Sequence, residues 1–164
     1  MPGPADEDLG CVPASMMEDL DAILVYNLML TQSRLAPFIG ASLRREKLTA
    51  AQFNTLLALR KAGEGGLRMH EIGRRLVVTK SNVTGLVDRL EKQGLAARSV
   101  HTDRRATVVR LTPAGAALLD QIIPQYAELL GDLTASLTGE EKETLVYLLT
   151  KLRKALRERR GAAV

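Results

Sequence analysis

The apolar residues of the chain recur mostly at helical spacing, and between positions 67 and 112 two short helical stretches stand back to back. The second stretch has an apolar stripe at positions i, i+3, i+4 and i+7, formed by Val83, Leu86, Val87 and Leu90. The segments Ala96–Val100 and Ala106–Leu111 then predict two β-strands around a charged tip. The pattern therefore predicts two helices joined by a tight turn and followed by a β-hairpin.

Longer helical patterns flank this region and predict a mainly α-helical fold with a small β-wing. Thr49 and Gln52 form a capping-box pattern at the start of one helix, and Thr138 and Glu141 form a second one. Pro113, which follows a threonine, marks a further helix start. The last helix carries a leucine stripe, so at least one of its faces is expected to be buried.

The first helical stretch, residues 16–44, has more apolar surface than one small lobe can cover, which indicates a partner chain. Pro37 is expected to bend or end this helix, and Pro124 is expected to kink the helix that follows the hairpin. The predicted organisation is a flexible tail over residues 1–15, a helical dimerisation lobe formed by residues 16–46 and 113–160, and a winged helix-turn-helix lobe over residues 47–112.

Positive charge is concentrated in the same region. Residues 67–112 hold ten Lys and Arg against four Asp and Glu, whereas the rest of the chain holds 13 basic against 15 acidic residues. Such a basic segment is typical of a surface that binds DNA phosphates. Lys80 and the start of the second helix can hold a phosphate, and Ser81 or Asn82 can read a base edge. Arg104 or Arg105 at the hairpin tip can enter the negative minor groove.

The sequence offers no catalytic, metal-binding or membrane-spanning pattern. It has no phosphate-binding glycine loop, nucleophile elbow or zinc-protease motif, so we expect no enzymatic activity and no cofactor. His70 and His101 lack neighbouring ligands at metal-binding spacing, so no metal site is expected. The single cysteine, Cys11, suits a reducing compartment, and the acidic start of the chain does not resemble a secretory signal. We therefore expect a cytoplasmic protein that does not bind a membrane.

The order of elements and two runs of residues resemble the MarR (multiple antibiotic resistance regulator) family of bacterial transcription factors. The resemblance covers about residues 17–158 and rests on the run Thr79–Glu91 with Gly94-Leu95, and on Asp103–Ala106 leading into Val109–Gly115. It implies an obligate homodimer that binds double-stranded DNA. Family members usually repress nearby genes and release DNA when a small, often phenolic or anionic, effector binds between the lobes. The sequence does not distinguish effector-binding residues from ordinary core residues.

The resemblance also implies roles for individual residues. Four of them stand where the recognition helix meets the major groove and flanking phosphates: Ser81, Asn82, Thr84 and Arg89. Asp103 and Arg105 match the family's Asp-x-Arg wing motif, in which the arginine enters the minor groove and the aspartate orients it. Gly85 occupies a position where many relatives carry a longer polar or basic side chain. The predicted DNA-binding residues are Lys80, Ser81, Asn82, Thr84, Gly85, Arg89, Asp103, Arg104 and Arg105.

A two-fold symmetric dimer would place its recognition helices about 34 Å apart, which predicts an inverted-repeat operator. Other interpretations stay open. Cys11 could make the protein a redox-responsive regulator, although its acidic neighbours do not favour a reactive thiolate. The basic hairpin could instead contact an acidic protein in a DNA-free dimeric module. Arg89 could merely pair with Asp88 or Glu91 on a solvated face, and Asp103 could be only a turn former.

Overall fold

The computed structural model describes residues 19–76, 80–100 and 107–162, with side chains at all of these positions except 80–82, 100 and 160–162. In chain order the elements in these ranges are α1 (Leu20–Arg44), α2 (Ala50–Ala62), β1 (Leu67–Arg68), α3 (Met69–Leu76), α4 (Lys80–Lys92), β2 (Ala96–Val100), β3 (Thr107–Leu111), α5 (Pro113–Leu133) and α6 (Gly139–Ala162). The predicted mainly α-helical fold with a small β-wing is confirmed. The predicted tail, the turn at 77–79 and the hairpin tip at 101–106 lie outside the described residues.

Reciprocal hydrogen bonds fix the starts of α2 and α6. The Thr49 hydroxyl accepts a hydrogen bond from the Gln52 N–H at 3.2 Å, and the Gln52 side-chain oxygen accepts one from the Thr49 N–H at 2.9 Å. At α6, the Thr138 N–H donates to the Glu141 carboxylate at 2.8 Å and the Glu141 N–H donates to the Thr138 hydroxyl at 3.3 Å. Both predicted capping boxes are therefore present, and each satisfies two backbone donors that a helix start leaves free.

Neither proline ends its helix. α1 continues through Pro37 to Arg44, and α5 continues through Pro124 to Leu133. The expectation that Pro37 could end the first helix is therefore wrong. A proline removes only one backbone donor from a helix. In α1, which has 25 residues, the helical turns before and after Pro37 supply the remaining hydrogen bonds.

The three strands form one antiparallel sheet in the order β1-β3-β2. β2 and β3 pair over five residues each, from Ala96 opposite Leu111 to Val100 opposite Thr107, as the sequence predicts. On its other side β3 pairs with β1, where Leu67 lies opposite Val109. The sequence pattern does not predict β1, because a strand of two residues is too short to show an alternation of apolar and polar positions.

The described chain divides into two compact units, one ending at Ile122 and the other beginning at Ile123. The core of the first unit contains large side chains with less than 2% exposure, among them Leu43, Phe53, Leu56, Leu59, Ile72, Val87, Leu90, Val109 and Leu119. These residues come from α1, α2, α3, α4, β3 and α5, so the predicted helix-turn-helix and wing share one interior. The second unit holds the end of α5 and the whole of α6.

Two glycines allow the sheet to lie close to its neighbours. A Cβ atom on Gly66, whose φ is +63°, would lie 2.5 Å from the Val109 carbonyl oxygen. A Cβ atom on Gly115 would lie 2.2 Å from the Leu95 carbonyl oxygen. Because both approaches are to backbone, no side-chain rotation could relieve them. These positions therefore require glycine for the strands to reach the loop before β1 and the first turn of α5.

Candidate nucleic-acid interface

α4 is held to the core by one face and leaves the other face open. Val83, Leu86, Val87 and Leu90 are buried, with exposures from 0 to 6%, so the predicted apolar stripe is confirmed. Thr84, Asp88, Arg89 and Lys92 are exposed on the remaining faces. A helix anchored by its apolar side and polar on its outer side has the architecture of a DNA recognition helix.

The structure describes only part of the predicted set of DNA-binding residues. Thr84, Gly85 and Arg89 lie together on the outer part of α4, with Thr84 and Arg89 exposed. Lys80, Ser81 and Asn82 form the first turn of α4, but their side chains lie outside the described residues. Asp103, Arg104 and Arg105 lie outside the described residues altogether, as does Cys11. Their roles therefore stay predictions.

Arg98 on β2 fastens the wing to the recognition helix. Its Nη1 atom lies 2.7 Å from Asp88 Oδ1 and 2.5 Å from Glu91 Oε2, both on α4. The Arg98 backbone N–H also donates to the other Glu91 oxygen at 2.7 Å. One guanidinium thus joins two carboxylates across the two elements, which fixes the direction of β2 relative to α4.

This cluster corrects the alternative interpretation of Arg89. Asp88 and Glu91 both pair with Arg98, and within the part of the chain that the structure describes no ion pair involves Arg89. Arg89 is adjacent to Asp88 in the sequence, but adjacent helix residues point in different directions. Arg89 is exposed and keeps its charge available to a partner outside the chain.

Arg110 on β3 fastens the wing from the opposite direction. Its Nε atom donates to the Glu64 carbonyl oxygen at 2.6 Å, in the turn between α2 and β1. Its Nη1 atom donates to the Ser99 hydroxyl on β2. Arg98 and Arg110 are two of the ten basic residues between positions 67 and 112, a segment whose positive charge is typical of phosphate binding. The structure shows that these two arginines stabilise the hairpin instead, a role that no local pattern reveals.

Two side-chain hydrogen bonds, which the sequence also does not predict, attach the C-terminal end of α4 to α2 and to the residues just before it. Gln52 on α2 is 3% exposed, and its Nε2 donates to the Gln93 side-chain oxygen at 3.2 Å. Gln93 Nε2 in turn donates to the Lys47 carbonyl oxygen at 3.3 Å, just before α2. The recognition helix is therefore held at its sides by the core, at its end by α2, and at its outer edge by the wing.

The start of α3 depends on a carboxylate. Glu71 accepts a hydrogen bond from the Arg68 N–H at 2.7 Å. This bond lowers the pKa of Glu71, because it stabilises the charged form of the carboxyl group. The negative charge also lies in the first turn of α3, where the helix dipole favours it.

The described residues present neither a metal centre nor a bilayer-crossing helix. Over residues 19–76, 80–100 and 107–162, no three His, Cys, Asp or Glu side chains gather closely enough to hold a metal ion. No helix within those same ranges combines the length and the apolar character that crossing a bilayer needs.

The sequence is similar to known regulators of transcription. The sequence profile of the MarR family matches residues 47–106. The chain is 31% identical over 144 residues to the HTH-type transcriptional regulator PecS of Dickeya dadantii, a match that covers 84% of this chain and 85% of PecS. It is 33% identical over 106 residues to the HTH-type transcriptional repressor YetL of Bacillus subtilis, and this match spans only 64% of the length of YetL.

Solved structures of similar fold include complexes of regulators with DNA. A mutant MarR from E. coli complexed with operator DNA superposes with a TM-score of 0.75 at 29% identity, over 85% of this chain and 99% of that one. Bordetella bronchiseptica BpsR, whose DNA binding is regulated by 6-hydroxynicotinic acid, superposes with a TM-score of 0.72 at 30% identity, over 80% of this chain and 98% of that one.

Proposed function

The chain belongs to the MarR family of transcriptional regulators, and we propose that it is a homodimeric repressor that binds an inverted-repeat operator and releases it when a small effector binds. The DNA-binding function is supported most directly by the way in which α4 is held on the rest of the chain. Its apolar stripe is buried, its polar face is open, and Arg98 ties it to the wing. A helix held in this way can enter the major groove while the hairpin beside it keeps a fixed position relative to the helix.

In this proposal the outer face of α4 supplies the base and phosphate contacts. Lys80 and the free N–H groups of the first helical turn hold a phosphate, since a helix N-terminus favours negative charge. Ser81, Asn82 and Thr84 read base edges, because hydroxyl and amide groups can donate or accept hydrogen bonds. Arg89 is exposed and, among the described residues, takes part in no ion pair, so it can bind a flanking phosphate.

The wing is proposed to supply the minor-groove contact. Arg105 inserts into the groove, Asp103 orients it, and Arg104 binds the backbone or takes its place. The bonds of Arg98 and Arg110 at the base of the hairpin support this role. They hold β2 and β3 against the lobe that carries α4, so a tip extending from these strands would sit at a fixed distance from the helix.

The homodimer is supported by apolar surface that one chain leaves uncovered. On α1, Leu20, Val25, Met29 and Phe38 are each more than half exposed. On α6, Val146, Tyr147, Leu148 and Leu156 are more than half exposed as well. Covering one such side chain fully contributes about 1.5–3 kcal/mol, so several of them together can hold a second copy. Two copies related by a two-fold axis would read two half-sites about one helical turn apart.

The proposed release by an effector is supported by a structural neighbour. BpsR, whose DNA binding is regulated by a small acid, is a structural neighbour of this chain. An open depression of about 590 Å³ lies where the end of α2 meets β3. An effector acts only if it binds the DNA-competent and released forms with different affinity. A compound that binds tightly and leaves operator affinity unchanged would remove this part of the proposal.

Selection of duplexes from a randomised library by the purified protein tests the operator. The proposal expects enrichment of one inverted repeat with half-site centres about 10 base pairs apart. A single asymmetric site, or no enriched sequence under conditions where the protein is folded, would contradict a symmetric sequence-specific repressor. A folded protein that enriches no duplex but binds acidic proteins would instead support the DNA-free module.

A further inference from the structure

The outer face of the recognition helix has a glycine near its centre. Gly85 lies on the side of α4 opposite to the buried Val83 and Val87, and it is flanked by the exposed Thr84 and Arg89. In the middle of a helix of 13 residues, glycine is a poor choice, because it loses more backbone freedom than any other residue. A glycine at this position therefore needs a reason.

Among the residues whose side chains the structure describes, no contact supplies that reason. A Cβ atom built on Gly85 would meet nothing within 4 Å apart from its chain neighbours and the backbone of its own helix. Its φ is not in the positive range, which among the described glycines is found at Gly63, Gly66 and Gly94. Gly85 thus differs from Gly115, where backbone lies 2.2 Å from the added Cβ atom. An alanine would fit at position 85 and would favour the helix, so no described contact within the chain requires glycine there.

We propose that Gly85 forms a notch in the outer face of α4 that receives the 5-methyl group of an operator thymine. The inference rests on the proposed function, in which α4 enters the major groove. Glycine has no side chain that could donate or accept a hydrogen bond, and the backbone groups of a helix interior bond within the helix. It can therefore offer only space. In the major groove, the thymine methyl is the base feature that protrudes and needs no hydrogen-bond partner.

The neighbouring residues fit this arrangement. Thr84 is exposed beside the notch and can bond a base edge, while Arg89, one turn further on, can bind a phosphate. The carboxylate of Asp88, which also lies on the outer side, is held by Arg98 at 2.7 Å. Because that negative charge is paired, it does not repel DNA at close range. The helix can then approach the groove floor closely at position 85.

The first test is Gly85→Ala in the full-length protein, with Gly131→Ala as matched control. Gly131 is an exposed glycine of α5 whose added Cβ atom also meets nothing within 4 Å apart from its chain neighbours and the backbone of its own helix. Both substitutions are expected to raise the melting temperature by about 2–4 °C, because alanine favours the helix. Operator affinity, measured by fluorescence anisotropy, should fall at least about tenfold for Gly85→Ala, the effect of one mismatched base pair. It should stay unchanged for Gly131→Ala.

The second test replaces each thymine of the operator, in symmetric pairs, by deoxyuridine, which lacks only the methyl group. Wild-type protein should lose affinity at one pair of positions, and Gly85→Ala should regain affinity there, since its own methyl group then occupies the space. Equal operator affinity of wild type and Gly85→Ala, or a loss by Gly85→Ala that is the same on every deoxyuridine duplex, would overturn the inference alone. A wild-type protein that does not prefer its operator over a scrambled duplex would overturn the proposed function, and the inference with it.

Discussion

Helices α4 and α6 both carry apolar residues at helical spacing, but they differ in what covers them. On α4, Val83 and Leu90 are at most 2% exposed, because α2, α3 and the wing strands pack around them. On α6, Leu145, Leu148 and Leu156 are 44 to 55% exposed. An apolar stripe in a sequence therefore predicts that a face will be covered, but not by which chain.

The same two helices differ in their polar attachments. Arg98 on β2 pairs with Asp88 on the outer edge of α4. Gln93, directly after the end of α4, accepts a hydrogen bond from Gln52 on α2. On α6, the Arg153 side chain donates to the Leu149 carbonyl oxygen and to the Thr150 hydroxyl, both within the same helix. The difference indicates that α4 is positioned by its own chain, whereas α6 is proposed to be positioned by a second copy. Four substitutions test this contrast, from the largest expected effect to the smallest.

Leu148→Asp on α6 should separate the proposed dimer, because it places a charge in the apolar surface that a second copy would cover. Operator affinity should fall by about 10²–10⁴-fold, since two linked half-site contacts become independent. Sedimentation analysis and anisotropy measure the two effects. Asn54→Asp, at an exposed position of α2 outside the proposed interface, adds the same charge and should leave a dimer. A dimeric Leu148→Asp protein with wild-type operator affinity would remove α6 from the proposed interface.

Arg105→Ala should weaken operator binding by about 1–3 kcal/mol, because a minor-groove contact is lost while the fold is not touched. The slope of log affinity against log salt concentration should also decrease by about one. Arg157→Ala, on the exposed face of α6, removes the same charge and should change neither quantity. Unchanged affinity of Arg105→Ala, or loss of its folded dimer, would show that the wing arginine does not have the assigned role.

Arg98→Gln should reduce operator affinity by about 1 kcal/mol without contacting DNA, because the wing is no longer fixed to α4. Its side chain and that of Asp88 are 29% and 54% exposed, so solvent screens the pair and the melting temperature should fall by only about 2–4 °C. Arg153→Gln on α6 is the matched substitution and should affect neither property. If Arg98→Gln loses stability but keeps full operator affinity, the ion pairs stabilise the fold and do not position the wing.

Glu71→Gln should lower the melting temperature at neutral pH and lose this effect in acid. The Arg68 N–H lowers the pKa of Glu71 in the folded protein, so the stabilisation is present above the ordinary glutamate value and disappears as pH falls through the lowered pKa. Glu141→Gln on α6 should behave alike, since the hydrogen bonds of Thr138 lower the pKa of Glu141. Melting curves from pH 7 to about pH 3 measure both. A difference from wild type that is constant over this range would contradict the hydrogen-bond origin.

The sequence predicted the features that depend on local pattern. The stripe of Val83, Leu86, Val87 and Leu90, the strands β2 and β3, and the capping boxes at Thr49 and Thr138 are all present. Each of them depends on residues within about one or two helical turns or on a single hairpin, so spacing along the chain is enough to identify it.

The attachments between elements could not be predicted in the same way. Arg110 bonds the Glu64 carbonyl, 46 positions earlier, and Gln52 bonds Gln93, 41 positions later. Such pairs exist only after the chain has folded, and an arginine that braces a strand has the same place in the sequence pattern as one that binds phosphate. The basic charge of residues 67–112 therefore overstates the number of cations available to DNA. The open space at Gly85 could not be predicted from the sequence for a related reason, since only the folded structure shows which atoms lie near that position.

Binding of the purified protein to the DNA that flanks its own coding region, compared with a scrambled duplex at moderate salt, tests the central claim most directly. The account predicts saturable binding to a short inverted repeat, with one dimer per repeat and a preference over the scrambled duplex of at least about 10³-fold. Equal affinity for the two duplexes, by folded protein from which any bound small molecule has been removed, would contradict an operator next to the protein's own gene, where family members usually act. If the randomised-library selection then also enriched no sequence, α4 would not be a sequence-reading helix.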